Sequence, residues 1–315
     1  MRAGKTFQKW GTFVRKQNRK FIILSLIPPI FCFVLWVVYP TIRCITQSFF
    51  AMNNLTDPVS KWEFIGFNNY KELFNSPVFM VSFKTIGKIW LYGGLITMAC
   101  SLLFATILTS GVLFKSFWRS LIYLPNTISA VAMVNMWSLY IYNNSFGMLH
   151  KIFTKLGMEQ LAAVNWTDSD HMFGSMLVAY CFGYIGYLML IFIAAMDGIP
   201  VDLYESAYLD GANSWVRFWR ITMPLIRETF RTCLTYWTLG TIGFFIWSQL
   251  WSRVDDLSLM TPALYMYNTT FATSSTDVLQ KNIGRGCAVA VIMMLMALFA
   301  HLLFNVVLKE RKYEY

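Results

Sequence analysis

The residues able to act on a ligand or partner fall into two groups. The first occupies the polar stretch from Ile199 to Ile226, IPVDLYESAYLDGANSWVRFWRITMPLI, and comprises Asp202, Glu205, Ser206, Ala207, Asp210, Gly211, Ala212 and Pro224. Their chemistry is electrostatic and mechanical. Asp202 is expected to cap a helix with Glu205 at its third position, a capping-box arrangement. Ala207 is small enough for a neighbour to approach closely. Gly211 tolerates a positive φ and so permits a turn between two short helices. Pro224 lacks a backbone donor and suits a bend at the entry to the next helix. Trp215, Phe218 and Trp219 add aromatic bulk, and Arg217 and Arg220 point to lipid headgroups or an acidic partner.

The second group lies in apolar surroundings. Trp237, Thr241, Phe244 and Ser248 recur at i, i+4, i+7 and i+11, and Tyr180, Tyr184 and Tyr187 recur similarly, with Gly183 and Gly186 among them. Each set falls on one helical face. Aromatic rings interleaved with hydroxyls suit carbohydrates, whose C–H faces stack on rings while their hydroxyls hydrogen-bond. The same spacing also serves packing between helices or against lipid.

Other chemistry is excluded. The chain has three scattered histidines, no G-x-x-x-x-G-K-[ST] loop to cradle nucleotide phosphates, no H-E-x-x-H and no nucleophile elbow. Neither an enzymatic active site nor a metal site is expected. The six cysteines, at 32, 44, 100, 181, 233 and 287, stand singly, form no C-x-x-C and read as small packing residues.

The elements that must position both groups follow from composition. The chain is 57% hydrophobic and 13% charged, against about 25% charged in soluble domains. Uncharged apolar runs occur at Phe21–Ile42, Ile89–Phe114, Ser120–Tyr142, Met172–Met196, Thr232–Ser252 and Gly286–Leu308. Each is long enough to cross a hydrocarbon core about 30 Å thick. The expectation is an all-α membrane protein with six spans near 21–42, 84–111, 119–142, 172–196, 230–252 and 285–308. In lipid each is expected to be a helix, because a helix satisfies its own backbone. Pro28-Pro29 is expected to kink the first. Short helices are expected near Asn68–Phe74 and across Gly147–Leu156.

Net charge is +10, and its placement gives orientation. Residues 1–20 carry Arg2, Lys5, Lys9, Arg15, Lys16, Arg19 and Lys20 without an acid, and the tail 309–315 carries Lys309, Arg311 and Lys312. Lys115, Arg119, Arg217, Arg220, Arg227 and Arg231 flank the alternate connections, whereas the other loops mix bases with acids such as Asp168, Asp170, Asp255, Asp256 and Asp277. Both termini and the loop 197–229 are therefore expected in the cytoplasm. No basic-aromatic surface outside the membrane flanks suggests nucleic acid.

E-S-A-Y-L-D-G-A at 205–212 followed by I-T-M-P at 221–224 resembles the E-A-A-x-x-D-G-A…I-T-L-P coupling loop of ABC importer permeases, with Ser206 replacing the usual first alanine. F-I-G-F-N-N-Y (64–70), R-S-L-I-Y-L-P-N-T-I-S (119–129), F-G-M-L-H (146–150) and T-P-A-L-Y-M-Y-N-T-T-F (261–271) extend the resemblance over most of the chain. The pattern is similar to the carbohydrate-type permeases, in the first position of the usual pair. The resemblance implies a type I ABC importer permease fold and a second homologous permease completing the pore. It further implies two ATPase subunits that bind ATP and Mg, an extracellular or periplasmic solute-binding protein, a carbohydrate substrate, and no cofactor in this chain. It places the loop in a groove of the ATPase, with Glu205 near a basic residue there, and the chain in the bacterial cytoplasmic membrane.

The cargo remains open between a sugar or oligosaccharide and another polar solute such as a glycerol phosphate. A secondary transporter would need intramembrane ionisable groups or broken-helix repeats, and no acid or base falls at the middle of any span. A non-transporting scaffold would use the loop only for assembly.

Overall fold

The computed structural model describes residues 21–52, 58–251, 257–271 and 281–307. The basic segment 1–20, the tail 309–315 and Asp255, Asp256 and Asp277 lie outside the described residues.

Among the described residues, four helices are long and apolar enough to cross a membrane: α1 (Phe21–Gln47), α3 (Pro77–Thr109), α8 (Ser169–Asp197) and α14 (Ile283–Val307). The shortest spans about 37 Å at 1.5 Å per residue. Between α1 and α3 lie a two-residue antiparallel ladder, β1 (Phe50–Ala51) with β2 (Glu63–Phe64), and helix α2 (Asn68–Asn75). The middle of the chain adds α4 (Lys115–Tyr123), α5 (Ala130–Ile141), α6 (Met148–Lys155) and α7 (Glu159–Ala162). After α8 come α9 (Val201–Leu209), α10 (Ser214–Arg217), α11 (Arg227–Ile242), α12 (Ile246–Trp251) and α13 (Pro262–Phe271). The short helices expected near Asn68 and Gly147 are α2 and α6.

Two expected spans are not continuous helices. In the segment 119–142, α4 gives way to a 3₁₀ turn at Leu124–Thr127 around Pro125, and Ile128 is extended. The chain restarts at α5, where Ser129 Oγ accepts from Ala132 N–H at 3.3 Å. In the segment 230–252, α11 ends at Gly243 and the chain resumes as α12. Phe244 N–H donates to Thr241 O at 3.0 Å, and Phe244 O accepts the hydroxyl of Thr261 at 2.7 Å. A helix breaks within a bundle when another segment satisfies the freed backbone, a substitution apolar periodicity does not reveal. The expected start of the second span moves as well. The helix begins at Pro77, so Lys84 and Lys88 lie inside it.

The helix runs through Pro28-Pro29, and the irregular turn is a π segment at Val34–Val38, two residues before Pro40. Of the other π segments, Ile89–Gly93, Met136–Ile141 and Phe218–Thr222, the last also ends two residues before a proline, Pro224. The proline ring clashes with the carbonyl four residues back, and a widened turn accommodates it.

Helix α8 is the centre of the bundle, with 61% of its most apolar window buried, against 0% for α1. A Cβ on Gly186 would lie 2.3 Å from Ile122 O and 2.6 Å from Tyr123 Cα, so α4 meets α8 backbone to backbone. Ser101 donates to Ile185 O at 2.8 Å, and Asn126 Nδ2 to Gly183 O at 3.2 Å. Gly93 and Gly94 on α3 receive the Trp237 indole, whose Nε1 donates to Trp90 O at 3.0 Å, while Trp90 Nε1 donates to Thr238 Oγ1 at 2.9 Å.

At the end remote from the 197–229 loop, fully buried Asn69 ties three elements together. Its Nδ2 donates to Ser48 O (2.9 Å) and Phe50 O (3.0 Å), and Gly284 of α14 packs against Phe50 O. Glu72 pairs with Arg285 beside it.

Gly186→Ala is expected to destabilise the protein by about 1–3 kcal/mol through overpacking. Gly183→Ala should leave it unchanged, since nothing lies within 4 Å of the added methyl. Thermal unfolding of the detergent-solubilised variants distinguishes the two.

Candidate functional site

The polar loop folds as a helix, a turn and an irregular helical run. Helix α9 starts at Val201 with Pro200 at the cap position and no side-chain cap bond. The capping box expected at Asp202 and Glu205 is therefore absent. Asp202 already sits in the first turn, where its charge complements the helix dipole, because the helix enters at Pro200, two residues before the expected cap. The exit matches expectation closely. Gly211 has φ +76°, its N–H donates to Tyr208 O (3.0 Å), and Ala212 N–H donates to Ala207 O (2.9 Å). This pair of bonds is a Schellman motif, which needs the left-handed residue that glycine supplies without strain. Asp210 occupies the cap position just before it.

Asn213 then opens α10, its Oδ1 accepting from Val216 N–H at 2.8 Å. The run continues through the π segment to Met223–Leu225, and Pro224 lies in that last short turn. The bend falls after it, at Ile226, before α11 begins.

Two contacts join the arms of this hairpin. The Tyr204 hydroxyl and Thr222 Oγ1 are 2.9 Å apart, linking α9 to the approach to α11. The Arg217 guanidinium lies over the Tyr208 ring at 5.8 Å, and its Nη2 donates to Ser214 Oγ at 3.2 Å. Tyr204, Glu205, Tyr208, Leu209 and Arg217 surround an open concavity of about 370 Å³. Glu205 and Ser206 are exposed, Ser206 Oγ donating to Asp202 O at 2.7 Å. Apolar side chains point outward at the turn: Leu209 is 85% exposed, and Tyr208 and Trp215 are each 70% exposed. Leu203 and Tyr204, on the opposite face, pack on the main core. The result is a short helix rooted by one face with an apolar, acidic tip left bare. Near its start, Arg119 of α4 pairs with Asp197 at 3.2 Å. That ion pair was not singled out from the sequence, since 78 residues separate its partners.

The second group occupies different surroundings. Trp237, Thr241, Phe244 and Ser248 are all buried, which the spacing alone left open between an inward and a lipid-facing surface. It is not one helical face, however, because the break at Gly243–Phe245 separates the first two from Ser248. Thr241 Oγ1 donates to Trp237 O, so this hydroxyl serves its own helix. Tyr184 is half-buried against Tyr180 (4.5 Å between centroids) and Trp237 (6.5 Å), whereas Tyr187 is 38% exposed and stands apart from them. In this conformation Trp237 and Phe244 pack around Tyr180, at 5.6 and 4.7 Å. The spacing did not single out Trp247 and Trp251, which continue this aromatic packing.

Tyr204→Phe and Thr222→Val should each lower stability by about 1 kcal/mol, the net worth of one hydrogen bond. The double variant should lose no more than either alone, as a double-mutant cycle on thermal unfolding would show.

Known proteins place this architecture. The solved bacterial ABC transporter for import of the acidic polysaccharide alginate has a chain that superposes with a TM-score of 0.76 at 20% identity, over 94% of this chain and 99% of that one. The osmoprotective compounds uptake permease protein GgtC of Synechocystis sp. is 31% identical over 83% of this chain and 89% of its own length. The diacetylchitobiose uptake system permease protein NgcF of Streptomyces coelicolor is 25% identical over 97% of this chain and 86% of its own. Residues 98–312 match the family of binding-protein-dependent transport system inner membrane components. With its apolar spanning helices and its exposed helix-turn loop, the chain belongs to that family.

Proposed function

We propose that this chain is one of two permeases of an ATP-driven importer that carries a sugar or oligosaccharide across the cytoplasmic membrane, with the 197–229 loop as its link to the ATPase. The observation that carries the reading is the construction of α9. One face is rooted in the bundle through Leu203 and the Tyr204–Thr222 bond, while the Tyr208, Leu209 and Trp215 tip stays exposed beside Glu205. A bare apolar tip with a carboxylate fits a groove with a basic residue. The rigid turn at Gly211 lets a push on the tip reach α11 rather than dissipate.

On this reading both termini are cytoplasmic, the six expected spans form one permease domain, and the broken spans 119–142 and 230–252 complete it. A second permease closes the pore. Two ATPase subunits bind ATP and Mg and drive rigid-body switching of the bundle. An external solute-binding protein delivers substrate; a solved bacterial alginate transporter is in complex with an alginate pentasaccharide-bound periplasmic protein. The chain performs no chemistry itself, and Asp202, Glu205, Ser206, Ala207, Asp210, Gly211, Ala212 and Pro224 act in coupling. Tyr184, Tyr187, Trp237, Thr241, Phe244 and Ser248 line the substrate route only once the bundle opens.

Carbohydrate cargo is supported by relatives named for diacetylchitobiose and for sulfoquinovosyl glycerol uptake. A relative named for osmoprotective compounds supports the second reading, the same importer with another polar solute.

Gly211→Val forces a β-branched residue to φ +76°. With strain of about 1.4 kcal/mol at the turn, uptake should fall about tenfold while the protein stays in the membrane. Normal uptake would remove the loop's coupling role. Affinity purification of the tagged chain from native membrane should recover a second permease and an ATPase whose turnover rises with a sugar-loaded binding protein. Recovery of the chain alone under gentle detergent would count for a scaffold instead.

A further inference from the structure

At the end of α8 remote from the 197–229 loop, aromatic rings from separate segments converge on one phenol. Tyr142 has the Trp137 ring at 5.3 Å, Trp251 at 6.1 Å and Trp166 at 6.3 Å between centroids. Its hydroxyl donates to Ser175 O at 3.2 Å. About 33 Å of helix separates Ser175 from Asp197, so this cluster lies far from the coupling loop.

The polar groups here are conspicuously unpaired. Trp137 Nε1, Trp251 Nε1, Ser175 Oγ and Ser248 Oγ are buried, with no hydrogen-bond partner among the described residues. Trp251, Ser175 and Ser248 are each more than nine-tenths buried. Ser248 and Trp251 lie one helical turn apart on the same face of α12. A buried donor without an acceptor costs about 1–3 kcal/mol, and folded proteins satisfy nearly all such groups. These four lie on the segments that meet around Tyr142.

We propose that Trp137, Tyr142, Trp166 and Trp251, with Ser175 and Ser248, form a binding subsite for one neutral sugar ring. The inference rests on the carbohydrate reading above. Indole faces accept the C–H face of a pyranose, and the two indole N–H groups and two hydroxyls supply the hydrogen bonds that its hydroxyls require. All four unpaired groups are neutral, which matches hydroxyls better than carboxylate or phosphate. In this conformation the rings close on one another, so the sugar is admitted when the α5 and α12 segments part. The subsite leads inward: Trp251 stacks on Trp247 (6.5 Å), and Trp247 meets Tyr180 (5.4 Å) beside Tyr184. A sugar leaving the subsite passes along that aromatic track towards the middle of α8.

The test uses the whole importer in proteoliposomes with radiolabelled maltose, maltopentaose, cellobiose and diacetylchitobiose. The sugar that wild type takes up is then titrated by equilibrium binding to the solubilised membrane complex. Trp251→Phe and Trp137→Phe keep a ring and remove the N–H, and Ser175→Ala removes one hydroxyl. Each is expected to raise the dissociation constant about fivefold to tenfold, and Ser175→Ala, which leaves almost no cavity, to do so with a melting temperature equal to or above wild type. Unchanged affinity together with a raised melting temperature overturns the subsite and leaves the carbohydrate importer standing. If none of the four sugars is taken up while the ATPase turns over, the carbohydrate reading fails and takes the subsite with it.

Discussion

The contact between Gly186 and the backbone of Ile122 and Tyr123 decides where the rest of the bundle can lie. It brings α4 against α8 at a separation that admits no side chain. The neighbouring carbonyls of α8, at Gly183 and Ile185, are then within reach of Asn126 and Ser101. Without a hydrophobic drive between helices in lipid, close approach and interhelical hydrogen bonds supply the association energy. Both are concentrated at this level of α8. Gly93 and Gly94 do the same for α3, admitting the Trp237 ring and so fixing α11.

A bundle fixed at its middle leaves its ends free for different tasks. At one end Asn69 and Gly284 clamp α1, α2 and α14 through backbone carbonyls. At the other, α9 hangs from the bundle by one face, with Tyr204 tied to Thr222 and the tip bare. A tip that moved independently of its root would transmit nothing. The Schellman turn at Gly211, the Asn213 cap and the Tyr204 hydroxyl together make the two arms of the loop one body.

Breaks in the spans serve this arrangement. The interruptions at Leu124–Thr127 and Gly243–Phe245 divide two expected spans, and at the second a borrowed hydroxyl, that of Thr261, satisfies the Phe244 carbonyl. The second break places Trp247 and Trp251 beside Tyr180 and Tyr142, which an unbroken helix from Arg227 would not do in the same register.

Much of this was legible in the residues. Apolar length fixed the four long helices to within a few residues at most ends, because a hydrocarbon core sets a minimum that no soluble element needs. The left-handed turn was legible at Gly211, since only a residue without a Cβ takes that φ freely. The helix start was not: Asp202 and Glu205 satisfy a capping pattern, but the helix caps at Pro200, two residues earlier, and has no need of it. The sequence also placed Trp237, Thr241, Phe244 and Ser248 at helical spacing, and the structure turned them inward. Only the tertiary structure decided that they belong to two helices, and that Thr261, 17 residues beyond Phe244, caps the gap between them. Local spacing records which face a residue takes. Which backbone bonds are surrendered depends on a partner brought from elsewhere in the chain, and no local pattern carries that information.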